Sequence, residues 1–149
     1  MRGDAREGSR SPRRRIAVPR KERSPVEELL SAIPALTGFS ASMEHGQMFS
    51  RYLELMLLWN RIHDLTGLKT PTKIVKGLFQ DALLFFPLLP RQRPLRVADI
   101  GAGAGIPGVP LRIVDARLQV TLVEARRKRV SFLAAVKREL GLLDMDIIH

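Results

Sequence analysis

Three glycines, Gly101, Gly103 and Gly105, alternate between a short β-prone run and an apolar stretch with helical spacing. Glycine reaches positive φ without steric cost and lets another group approach the backbone closely, so the segment reads as a tight strand-to-helix turn. The run ahead of it contains Leu95, Val97 and Ile100, and Asp99 stands just before the turn. Pro107 and Pro110 suit the first turn of the next helix, where a missing N–H does no harm. The pattern then repeats. Val109–Val114 reads as a helix, Val120–Val123 as a second strand, and 126–140 as a helix with Val130, Leu133, Val136 and Leu140 on one face. Gly141 stands at its C-cap, and Met145–His149 opens a third strand. Strands alternating with helices predict an α/β fold with a parallel sheet and crossover helices. Ligands of such sheets bind at the C-terminal ends of the strands, where Asp99 and the glycines fall.

The chain before this unit is helical by its spacing. A short helix is expected over 26–33, followed by a turn at Pro34 and Gly38. A stronger helix opens at Ser42 and Glu44 and runs to about Asn60. Phe49, Tyr52, Leu53, Met56 and Trp59 form its apolar face, with Arg51 and Glu54 opposite. A third helix fits 72–86, with Ile74, Leu78 and Phe85 inward and Pro87 ending it. Trp59 belongs to the apolar stripe, so its first reading is as core rather than as a platform for stacking a base.

Composition removes several chemistries. The 149 residues contain no cysteine, which excludes a disulfide framework, a zinc–thiolate site and a thiol nucleophile. The three histidines, His45, His63 and His149, have no ligand spacing, so no metal site is expected. The longest apolar run, Ala82 to Leu89, contains Pro87 and is far below the ~20 residues of a membrane helix. The formal charge of +10 is uneven. Residues 1–25 hold nine Lys/Arg against three Asp/Glu with few apolar side chains, and are expected to be a disordered basic tail. Arg13–Arg15 is not followed by a long apolar segment, which rejects an export signal. Residues 26–149 carry a net +4, which permits a polyanionic partner.

The glycine segment admits two ligand readings. Gly103-x-Gly105-x-x-Gly108 is formally a dinucleotide fingerprint, but there the first glycine follows its strand closely and no acid is required. D-x-G-x-G-x-G, from Asp99 through Gly105, is instead the first motif of class I S-adenosylmethionine methyltransferases. That ligand carries an ammonium and a sulfonium and no pyrophosphate, so carboxylates near the loop make sense. Glu124 closes the second strand, 25 residues after Asp99, where a carboxylate can accept both hydroxyls of a ribose.

DIGAGAGIPGVPL followed by VTLVEARRKRVSFL resembles the RsmG (GidB) family of bacterial small-subunit ribosomal RNA guanine-N7 methyltransferases. The proline–glycine after the third loop glycine and the K-R-x-x-F-L run from Lys128-Arg129 to Phe132-Leu133 are more restrictive than the generic motif. LELMLLWNRIHDLTGLK resembles the family's W-N helix end and following N-L-T, with Asp64 in place of the asparagine. Asp81 is kept in the next helix, whereas Leu78 and Ala82 stand where the family has His and Ser. The resemblance covers roughly residues 26–149.

It implies N-terminal helices over 26–92, then the first half of a Rossmann-like S-adenosylmethionine domain over 93–149, a C-terminally truncated copy with impaired activity. Asp99, Gly101, Ala102, Gly103, Gly105 and Ile106 would lie around the methionine part of the cofactor, with Glu124 at the ribose and Ala125 beside the adenine. Arg126, Arg127, Lys128 and Arg129 would touch RNA phosphates. No catalytic residue is expected, because guanine N7 has a free lone pair and no proton to remove. The implied partner is small-subunit ribosomal RNA or the assembling subunit, for a cytoplasmic protein that is monomeric at full length.

Overall fold

The computed structural model describes residues 22–92 and 94–149. The expected basic tail lies outside them through residue 21. Helix α1 spans Pro25–Thr37. A reciprocal capping box starts it: the Glu27 N–H donates to Ser24 Oγ at 3.2 Å, and the Ser24 N–H to Glu27 Oε2 at 2.7 Å. The helix does not stop near residue 33 as expected. Pro34 lies inside it, on the exposed side, while Val26, Leu29 and Ile33 are buried and Leu36 extends the face. Burial of that stripe outweighs the bond the proline removes. Gly38, at φ 76°, ends the helix by donating to Pro34 O at 3.0 Å.

Helix α2, Met43–His63, opens on a second capping box between Ser42 and His45. Its inward stripe is the expected one: Phe49, Tyr52, Leu53 and Met56 are buried and Trp59 half-buried. Arg51 and Glu54 lie outside and pair at 2.9 Å. The helix ends three residues beyond the expected Asn60, at Asp64 in the left-handed region. Asn60 itself is buried. Its amide donates to Leu68 O at 3.0 Å and accepts from the Thr66 N–H at 2.9 Å, which folds the 64–68 loop back onto the helix.

The third helical segment departs from its expected phase. It is an α turn, α3 (Pro71–Ile74), then a π-helical stretch over Val75–Gln80, then α4 (Asp81–Leu83). A π turn inserts one extra residue. Ile74 is buried and Leu78 half-buried as expected, but beyond them the inward positions are Val75, Phe79, Leu83 and Phe86, while Phe85, expected inward, is 48% exposed. A 3-10 turn over Phe86–Leu88 carries Pro87.

The second half forms β1 (Leu95–Ile100), α5 (Gly108–Val114), β2 (Leu118–Val123), α6 (Arg127–Glu139) and β3 (Asp146–Ile148). Both strand pairs are parallel, in the order β1-β2-β3, so among the described residues β1 is an edge. Leu118, Val120 and Leu122 of β2 are buried on the face that α5 and α6 cover. The opposite face is open at Arg96, Ala98, Gln119 and Ile148, and Ile100 is 73% exposed. Helix α2 packs across both α5 and α6. An aromatic series joins these layers. Tyr52 stacks on Phe79 at 4.7 Å and on Phe132 at 6.5 Å, and Trp59 meets Phe132 edge-on at 5.6 Å. Trp59 is thus packed on the core.

Candidate functional site

Parallel pairing of β1 with β2 sets Ile100 beside Val123, so the two chain segments that follow are neighbours although 23 residues apart. The loop is built from that edge. The N–H groups of Gly101 and Ala102 both donate to Val123 O, at 2.8 and 3.0 Å, and those of Gly105 and Ile106 to Ala102 O, at 2.7 and 3.1 Å. Three glycines supply the backbone this requires, with φ of 77°, 60° and 87° at Gly101, Gly103 and Gly105. A side chain at Gly101 would meet nothing within 4 Å, so the loop is open there, whereas one at Gly103 would rest in ordinary contact with Arg129 Nη1 at 3.6 Å. Gly105 and Gly108 face inward and are closely packed.

Two acids brace the loop from opposite sides. Glu124, 5% exposed, accepts the Gly103 N–H on Oε2 at 2.9 Å and the Arg126 N–H on Oε1 at 2.8 Å. A carboxylate has about four lone-pair directions, so two remain for a ligand. Burial pushes the Glu124 carboxyl up, but the two N–H bonds and the nearby Arg129 and Arg126 charges outweigh it and hold the group below its ordinary range. Asp99 lies buried beneath the loop and accepts the Gly108 N–H on Oδ2 at 2.9 Å. Burial raises its carboxyl, and the Gly108 bond partly offsets this.

The basic run after Glu124 divides. Arg126, Arg127 and Lys128 are exposed, whereas Arg129 is half-buried. Its guanidinium turns back over the loop, 3.8 Å from Glu124 Oε2. Of the residues named from the sequence, Asp99, Gly101, Ala102, Gly103, Gly105, Ile106 and Glu124 are thus gathered at one strand edge with Arg129, while Ala125 is exposed beside them and its carbonyl lies 3.1 Å from His149 Nε2. Sequence reasoning did not place Tyr52 here. Its hydroxyl donates to Ala104 O in the loop, across a separation that no local pattern signals. Among the described residues no cluster of His, Asp or Glu is arranged to hold a metal, and no helix is long and apolar enough to cross a membrane.

Residues 45–149 match the family model described as GidB, rRNA small subunit methyltransferase G. Among curated proteins, the chain is similar to the ribosomal RNA small subunit methyltransferases G of three bacteria. The Dichelobacter nodosus protein is 37% identical over 123 residues, covering 83% of this chain and 57% of the relative. That of Lactococcus lactis subsp. cremoris is 35% identical over 127 residues, covering 83% and 52%. That of Nitrosospira multiformis is 34% identical over 125 residues, covering 84% and 56%. The chain therefore spans a little over half the length of these relatives. With a three-stranded parallel sheet of Rossmann-like order and a glycine loop braced by two carboxylates, this chain belongs to the rRNA small subunit methyltransferase G (GidB) family.

Proposed function

We propose that the loop from Asp99 to Gly108, together with Glu124, binds S-adenosylmethionine, and that the chain serves methyl transfer to guanine N7 of small-subunit ribosomal RNA. The observation that carries the cofactor assignment is the Asp99–Gly108 bond. In a dinucleotide fold the N–H groups at the start of the helix after the glycine loop receive the pyrophosphate. Here the first of them is taken by a buried carboxylate, whose charge would repel a phosphate at that position. A cationic ligand meets no such obstacle. The lone pairs of Glu124 not taken by the two N–H groups suit a ribose diol, and the open space at Gly101 leaves room for the rest.

S-adenosylmethionine supplies an electrophilic methyl group on its sulfonium. The chain's own residues then have to bind, orient and exclude water, because guanine N7 carries a lone pair and no proton to be removed. Alignment of donor and acceptor is a sufficient source of rate for such a displacement. Arg126, Arg127 and Lys128 are exposed next to Glu124 and suit phosphate contacts, which give affinity without sequence reading.

The test is calorimetric titration of the chain with S-adenosylmethionine and, separately, NAD. Saturable binding of the first alone, lost in Glu124→Ala and weakened in Asp99→Ala, is expected. Preference for NAD, or a folded chain that takes up neither ligand, would refute the assignment.

A further inference from the structure

Two side chains tie the start of α5 and the loop before it. Gly108 is the first residue of α5, so its N–H is one of those with no carbonyl acceptor inside the helix. The following N–H, that of Val109, donates back to Gly105 O at 2.8 Å. The Gly108 N–H and the Ala104 carbonyl are each satisfied by a side chain. Asp99 takes the N–H at 2.9 Å, and the Tyr52 hydroxyl donates to the carbonyl. Tyr52 is wholly buried, its ring lies against Phe79 and Phe132, and its hydroxyl reaches a carbonyl 52 residues along the chain. Gly105 leaves the hydroxyl room, since a Cβ there would lie 3.1 Å from Tyr52 Oη.

We infer that Tyr52 is a positioning residue for the methyl-donor loop: with Asp99, which holds Gly108, it ties the 101–108 segment at Ala104 to the helical half and fixes its shape. The inference rests on the cofactor assignment above for its functional consequence. It makes the helical half of the chain part of the donor site, through the Tyr52 hydroxyl of α2. With the hydroxyl gone, the Ala104 carbonyl is left buried without a donor. A buried carbonyl without a donor is costly, and a shift of the 103–105 segment that brings it to water also loosens the Gly103 N–H from Glu124.

Tyr52→Phe keeps the ring and removes one oxygen. Leu55→Ala, a buried position elsewhere on α2, serves as a comparison that loosens the helix without touching the loop. Amide hydrogen exchange and S-adenosylmethionine titration are measured on both variants and the parent chain. Tyr52→Phe is expected to speed exchange at Gly103, Gly105 and Ile106 relative to β2 and to weaken binding about tenfold, the size of one buried hydrogen bond. Leu55→Ala is expected to show no such selectivity. Loop exchange in Tyr52→Phe that follows the Leu55→Ala pattern overturns the inference. So does selective loosening with unchanged affinity. If the parent chain binds nothing, the cofactor assignment fails separately, and loop exchange alone decides whether Tyr52 holds the loop.

Discussion

The glycines of the loop differ in what a methyl group would cost, and the difference can be worked out position by position. At Gly101 an added Cβ meets nothing within 4 Å, but φ is +77°. Gly101→Ala therefore carries the left-handed conformational cost alone, about 1–2 kcal/mol. At Gly105 φ is +87°, and the Cβ would also stand 2.6 Å from Val109 Cγ2 and 3.1 Å from both Leu133 Cδ2 and Tyr52 Oη. Valine in a helix is stiff about χ1, so that clash is relieved only by moving backbone. Overpacking of this kind adds roughly 1–3 kcal/mol, for a total of roughly 2–5 kcal/mol at Gly105.

In a chain of this size each kcal/mol lowers Tm by about 2–4 °C. Thermal unfolding followed by circular dichroism should then show Gly101→Ala down by about 2–8 °C and Gly105→Ala down by about 4–20 °C. The functional order is reversed in kind. Gly101→Ala stays folded yet narrows the open rim, so it should lose S-adenosylmethionine affinity at a smaller cost in stability than Gly105→Ala. A Gly105→Ala protein as stable as Gly101→Ala would refute the packing argument.

Three further outcomes are expected. Glu124→Gln keeps the shape but has one oxygen for two N–H donors, and should cost about 1–3 kcal/mol. Because the folded-state Glu124 carboxyl sits below its ordinary range, its contribution is present above that range and lost as pH falls through it. Urea midpoints between about pH 3 and 6 should therefore slope less steeply in the variant, and an unchanged slope would remove Glu124 from the account. Asn60→Ala leaves Leu68 O and the Thr66 N–H without their partner and should cost about 1–3 kcal/mol in denaturant unfolding; a neutral result would mean water replaces both bonds. Ile100 and Ile148, 73% and 52% exposed on the open sheet face, should drive concentration-dependent self-association. Light scattering should find it reduced in Ile100→Thr/Ile148→Thr, and a parent chain monomeric at all concentrations would contradict this.

What was legible in the sequence was whatever short-range periodicity and turn chemistry encode. The α2 stripe of Phe49, Tyr52, Leu53 and Met56, the β-α-β-α-β order, and the glycine turn with Asp99 before it all depend on residues within a few positions of one another. The family followed from two motifs of the same local kind. Tertiary structure decided the rest, because it turned on groups far apart in the chain or on small phase changes. The single extra residue of the π turn exchanged Phe85 for Phe86 at the core, which no spacing rule registers. Pro34 stayed inside α1, on its exposed side, because the stripe on the other side is buried against other helices. Arg129 looked like its neighbours in a basic run, yet only its position on α6 turns it toward Glu124. The Tyr52 hydroxyl met a loop carbonyl 52 residues away because α2 packs across α5 and α6. Composition and spacing chose the chemistry available to the strand edge; the packing of the helical half on α5 and α6 set the shape in which the edge presents it.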